Sequence, residues 1–200
     1  MKLPAGPMKT LNAYLSIRLL TIVLFFFLTG FTAGVFTEIQ LSDEARKSMA
    51  DFLSYNVIDK TPAEGGLSGL FLNSIALNGT LFLIILLAGL SIVGFPLALP
   101  ALAYKGAALG FSAALLIDSL GGKGLLFIAF KLLPPNIFLI PAFCGAAAAA
   151  LKFGFGILSG GLTNIKRNLT VKSGSYLFFQ ILMGILVLAG CLVESLIAPL

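Results

Sequence analysis

The chain has no histidine, no tryptophan and only two cysteines among its 200 residues. Without histidine it lacks the commonest general acid/base and the commonest metal ligand, and it can form no Ser-His or Cys-His nucleophilic pair. Cys144 and Cys191 both lie in apolar stretches and form no CxxC or other ligand spacing, so they read as small buried hydrophobes. No catalytic residue, cofactor or metal site is expected. Charge is also scarce: charged residues make up 10% of the chain, against about 25% in an average globular protein. Thirteen basic and eight acidic residues cannot solvate the exterior of a soluble domain of this size. What is abundant is apolar surface, with 58% hydrophobic residues and a mean hydropathy of +1.05. The expected fold class is all-α: a polytopic transmembrane helical bundle of about five spans, forming a single membrane domain over 1–200.

The net charge of +5 does not point to nucleic acid, because the basic residues are scattered and not interleaved with aromatics. In a membrane protein such a balance reflects cytoplasmic anchoring charges. The tail from Met1 to Arg18 holds three basic residues and no acid, and the run 19–37 is uncharged. That run exceeds a signal-peptide core of roughly 7–15 residues and no A-x-A site follows, so it reads as an uncleaved first span over roughly 17–37.

A polar loop follows over 38–66. Ser42 is a helix N-cap candidate with Asp43 and Glu44 in the first turn. Ala45, Met49, Phe52, Leu53 and Val57 then recur on one helical face, which predicts an amphipathic surface helix from Asp43 to Val57. The uncharged run 65–104 would measure about 60 Å as one helix, twice a hydrocarbon core, so it must turn at Gly94-Phe95-Pro96 and Pro100. This gives spans over roughly 70–93 and 98–117, with a break at Gly121-Gly122. The piece 125–133 is too short to cross and is expected to lie at the interface or dip into it. Further spans are expected over 134–158, where Pro134 suits a helix start and Pro141 interrupts the interior, and over 176–197.

Five spans put the termini on opposite faces. With the N-terminus cytoplasmic, that face receives Lys2, Lys9, Arg18, Lys105, Lys152, Lys166, Arg167 and Lys172 and no acid. The outer face receives Arg46, Lys47, Lys60, Lys123 and Lys131 with all eight acids: Glu38, Asp43, Glu44, Asp51, Asp59, Glu64, Asp118 and Glu194. The excess of basic residues on the first face favours this orientation, with an extracytoplasmic C-terminus and an acidic outer loop.

Gly66-Leu67-Ser68-Gly69 reproduces the GxSG string of intramembrane serine proteases, but the base such a serine needs is absent, and a flexible span boundary explains it. Gly30/Gly34 and Gly106/Gly110 are GxxxG pairs, and Ala142, Ala146 and Ala150 form a small-residue stripe. Small side chains let helix backbones approach closely in lipid. Such faces either pack span on span or dock another subunit, giving a homo-oligomer. Lys105 and Lys131 lie within or beside apolar stretches, where a charge is by default a functional candidate; both are near enough to a boundary to snorkel. Asn73, Asn78 and Gln180 are thin material for a substrate path.

Gly94-Phe95-Pro96, Tyr104-Lys105-Gly106, Gly110-Phe111, Gly121-Gly122-Lys123-Gly124, Leu133-Pro134-Pro135-Asn136, Ile140-Pro141-Ala142 and the final Glu194-Ser195 … Pro199-Leu200 resemble, in order and spacing, the stage II sporulation protein M family. The resemblance covers nearly the whole chain. It implies a multi-pass protein of the sporulation septum and engulfing mother-cell membrane of an endospore former. It also implies a non-catalytic scaffold anchoring two peptidoglycan hydrolases, stage II sporulation proteins D and P, for septal wall thinning. The partners expected are those hydrolases and membrane lipid. Candidate partner contacts are Asp43, Glu44, Asp51 and Phe52. Candidate positions in the spans are Lys105, Gly106, Gly110, Asp118, Lys131, Pro134, Asn136 and Pro141. The competing reading is a transporter or permease subunit, since Pro-interrupted, Gly-rich spans can also line a path.

Overall fold

A computed structural model describes residues 17–53, 66–91, 94–158 and 165–198. Among these, every regular element is helical: α1 (Ile17–Ile39), α2 (Asp43–Leu53), α3 (Gly66–Leu90), a 3₁₀ turn (Phe95–Leu97), α4 (Ala98–Leu120), α5 (Gly122–Phe127), a π turn (Ile128–Leu132), α6 (Leu133–Leu158) and α7 (Ile165–Ile197). Five stretches are long and apolar enough to cross a membrane: Ile17–Ile39, Gly66–Leu90, Phe95–Leu120, Gly122–Leu158 and Ser173–Ile197. The chain is an all-helical, multi-pass membrane protein.

Local chemistry sets the boundaries. The Ala45 amide donates to Ser42 Oγ at 3.3 Å, so Ser42 caps α2, and Asp43 and Glu44 occupy its first turn. Val57, Asp59 and Glu64 lie outside the described residues. Pro96 stands in the tight turn that feeds α4, where its missing N–H costs no helical bond. Gly121 closes α4 at φ 54°, and its amide still donates to the Ile117 carbonyl at 2.8 Å. α5 then folds back so tightly that a Cβ at Gly124 would collide with the Leu116 carbonyl.

Helical backbone already runs through 122–132 before Pro134. Pro134 and Pro135 cannot donate to the carbonyls one turn back, and the wider π turn just ahead absorbs the mismatch, with the Leu133 amide reaching Ile128 O. Pro141 lies inside α6 on its exposed face.

Packing contacts fix the directions. Gly30 lies on Ala103 and Gly34 on Ala107, so α1 and α4 run parallel. Gly106 and Gly110 return the contact on the carbonyls of Phe27 and Phe31. A Cβ at any of the four would overlap partner backbone, so the two GxxxG pairs are locked into each other within one chain. Gly145 meets Met183 and Gly190 meets Leu139, so α6 and α7 are antiparallel. α6 is the central helix: it contacts α1, α3, α4 and α7, and every residue from 142 to 151 is buried. The alanine stripe is therefore interior. Large side chains face outward instead, among them Phe25, Phe36, Leu72, Leu77, Phe130 and Ile181. A soluble protein has the opposite pattern, and this one suits lipid.

Candidate functional site

The least expected feature in so apolar a bundle is a chain of polar side chains inside it. Ser74 and Asn78 lie one turn apart on the buried face of α3. Asn78 is the midpoint residue of Gly66–Leu90, about 18 Å along the helix from either end. Lys105 of α4 reaches it from one side, and its Nζ donates to Asn78 Oδ1 at 2.6 Å. Glu194 of α7 reaches it from the other side. Its Oε2 accepts from Asn78 Nδ2 at 3.2 Å and from Ser74 Oγ at 2.6 Å. Asn78 Nδ2 also faces the Ser74 carbonyl at 3.2 Å, and the Lys105 ammonium lies 5.5 Å from the centre of the Phe143 ring on α6. The network thus draws on four of the five crossing helices.

Its electrostatic logic is simple. An isolated charge in hydrocarbon is expensive, and here a cation and a carboxylate are joined through one neutral amide that accepts from the first and donates to the second. In a low-dielectric interior such a chain polarises cooperatively, and loss of any member leaves a buried polar group without its partner. The sequence exposed half of this. Lys105 stood out in an apolar run, but its side chain points to Asn78 at mid-bundle and does not run back to the Ala98 end. Glu194 reads from sequence as one of the outer-face acids, because Ile197 ends the helix so soon after it. Ser74 carries no signal in the sequence, as one small hydroxyl in an uncharged run.

A second constellation sits at the bundle end that carries Ile39, Leu120 and Ile197. Arg46 of α2 places Nε 3.4 Å from Glu38 Oε1 and 3.3 Å from Asp118 Oδ2, and a terminal nitrogen donates to the carbonyls of Glu38 and Ile39 at 3.3 Å each. Glu38 is 3% exposed. The Nε contacts are charge contacts without hydrogen-bond alignment, so the directional bonds are those to the carbonyls. One guanidinium therefore pins the surface helix to the ends of α1 and α4. Asp118 takes its role here, at the rim.

Asp43, Glu44 and Asp51 are all exposed on α2, away from that clamp. Phe52 belongs to the same helix, but its side chain lies outside the described residues. Lys131, in the π turn, donates to the Ala198 carbonyl at 3.2 Å and lies 5.3 Å from the centre of the Phe127 ring. Asn136 is buried and its Nδ2 donates to the Leu132 carbonyl at 2.7 Å. Asn73 is exposed. Gln180 bridges the Ala146 carbonyl at 3.1 Å and the Tyr176 hydroxyl at 2.9 Å, and Tyr176 donates to the Leu86 carbonyl at 2.8 Å. Gln180 and Tyr176 thus tie the last turns of α3 to the middle of α6 and to α7. Ser68 of the GxSG string is exposed in the first turn of α3. Both cysteines are buried free thiols.

Among known proteins, the family model described as stage II sporulation protein M matches residues 23–199. No curated protein and no solved structure matches the chain.

Proposed function

The chain belongs to the stage II sporulation protein M family and is a sporulation-related membrane protein; from that premise we propose that it is a non-catalytic scaffold. In this reading it anchors the peptidoglycan hydrolases named stage II sporulation proteins D and P at the septum and engulfing membrane, with the Arg46 end of the bundle facing the wall. The observation that carries the reading is the Arg46 clamp. A short surface helix would tumble freely on its loop, whereas Arg46 fixes it to two transmembrane helices through a nearly buried carboxylate. The clamp leaves Asp43, Glu44 and Asp51 exposed on a held platform. A held surface loses less entropy on binding than a mobile one.

Reversing Asp43, Glu44 and Asp51 to lysine tests this. Recovery of the two hydrolases with the purified protein should fall. Undiminished recovery removes the platform from the account, and normal engulfment in a deletion strain removes the scaffold role.

The permease reading draws on a different observation: the Lys105–Asn78–Glu194 chain at mid-depth, where transporters place their polar groups. Solute flux into proteoliposomes holding the purified chain, abolished by Asn78→Leu, would favour that reading over the scaffold.

A further inference from the structure

α3 turns one face into the bundle and another that no described residue covers. On the open face Asn73, Leu77, Thr80, Ile84 and Leu87 are all exposed, at steps of four, three, four and three residues. That is the 3.5-residue period of a helix lying alongside another helix. Four members of the stripe suit lipid well enough, but Asn73 does not. α3 has 25 residues, so it exceeds a hydrocarbon core of roughly 30 Å by about 7 Å. Asn73 lies about 10 Å from the Gly66 end, which is inside the core even with the whole overhang at that end.

An amide at that depth needs partners, because acyl chains offer none. Asn78 and Asn136 each donate to a group within the bundle. Asn73 makes no hydrogen bond among the described residues, and its side chain is exposed, so a group on another molecule can reach it. The glycine pairs of α1 and α4 and the alanines of α6 are used up inside one chain and cannot supply a contact between copies.

We propose that this face of α3 is the contact between two copies of the chain, related by a two-fold axis along the membrane normal, with the two Asn73 amides paired across it. The occupant follows from depth and from the chemistry of the amide. Copies inserted the same way up bring a residue on the axis to its own counterpart at the same level. A carboxamide is self-complementary: each Nδ2 donates to the other Oδ1, so the pair needs no further group. One such amide in an otherwise mostly apolar stripe also fixes the register of the two helices. The proposal depends on neither the scaffold nor the permease reading. It sets both α2 helices on the same side of the membrane.

The test uses the full chain in liposomes, labelled with donor and acceptor dyes through Lys123→Cys, an exposed position. Energy transfer should report a dimer that persists as lipid is added stepwise. Asn73→Leu should lower the association constant about threefold to thirtyfold, the effect of interhelical hydrogen bonds in lipid. Asn73→Gln keeps an amide and should retain most of the association. Asn73 bonds to nothing in its own chain, so unfolding of the monomer should be unchanged in Asn73→Leu. Under mild oxidation Leu77→Cys should give a disulfide-linked dimer, and Leu72→Cys, as exposed but about a quarter of a turn round α3, should not. Transfer at the random-collision level, equal dimer yields from Leu72→Cys and Leu77→Cys, or an Asn73→Leu dimer as strong as the original overturns the proposal. So does a photo-crosslinker at Leu77 that captures a different protein and no second copy in sporulating cells.

Discussion

Lys105 and Glu194, on different helices, share Asn78: its Oδ1 accepts from the ammonium at 2.6 Å, and its Nδ2 donates to the carboxylate at 3.2 Å. A single amide thus holds two opposite charges at mid-bundle.

Asn78→Leu should therefore cost more than a surface change, on the order of 2 kcal/mol, because both charges lose their bridge. Lys105→Met and Glu194→Gln should each destabilise. The double variant should lose less than the two single losses added together, with a coupling of about 1 kcal/mol. Unfolding in mixed micelles measures all four variants, and strict additivity would show that the bridge carries no coupling.

The glycine lock gives a sharper contrast. Gly34→Leu or Gly110→Leu drives a side chain into partner backbone and should separate α1 from α4, with loss of the folded species in detergent. Gly174→Ala, in α7 with open space around it, should gain up to about 1 kcal/mol from helix propensity. Equal tolerance at all three positions would contradict the packing described.

Arg46→Met should release α2. Hydrogen exchange over residues 43–53 is expected to rise to the rate of an unprotected loop, at a cost of about 1–3 kcal/mol from the carboxylate left unpaired. Glu38→Gln in that background should restore part of the stability but not the protection, since it removes the orphaned charge without rebuilding the clamp. Salt should weaken the contact to Asp118, whose side chain is 46% exposed, more than the contact to Glu38 at 4%.

Orientation is open to direct labelling. Cys144 and Cys191 are buried, so an introduced cysteine reports with little background. In intact cells Lys123→Cys should react with an impermeant maleimide and Arg18→Cys should not. The reverse pattern would place the Arg46 end in the cytosol and remove the wall-facing platform.

Much of the architecture was legible because lipid imposes a length and an apolarity that composition displays directly. The Ser42 cap was legible because it is local. Partner choice was not. A GxxxG spacing marks a face that approaches closely, but nothing in Gly30 and Gly34 says that Gly106 and Gly110 are the counterpart. Glu194 was misleading for a geometric reason. A carboxylate near a helix end normally reaches outward to water, whereas this one turns back to two donors on a neighbouring helix. The Gly121-Gly122 and Pro134-Pro135 punctuation suggested an interrupted path. The break at Gly121 is real, and the prolines are absorbed by the π turn into one continuous helical run.

The parallel pairing of α1 with α4 also constrains biogenesis. Helices that run the same way cannot be hairpin neighbours, so α1 reaches the bilayer before its main counterpart has been translated. At bacterial elongation rates the interval from Ile39 to Leu120 lasts about 4 to 16 s. Throughout it the notched flank of α1 is open to lipid or to whatever insertion machinery shelters it, and the bundle can zip shut only when the third crossing arrives.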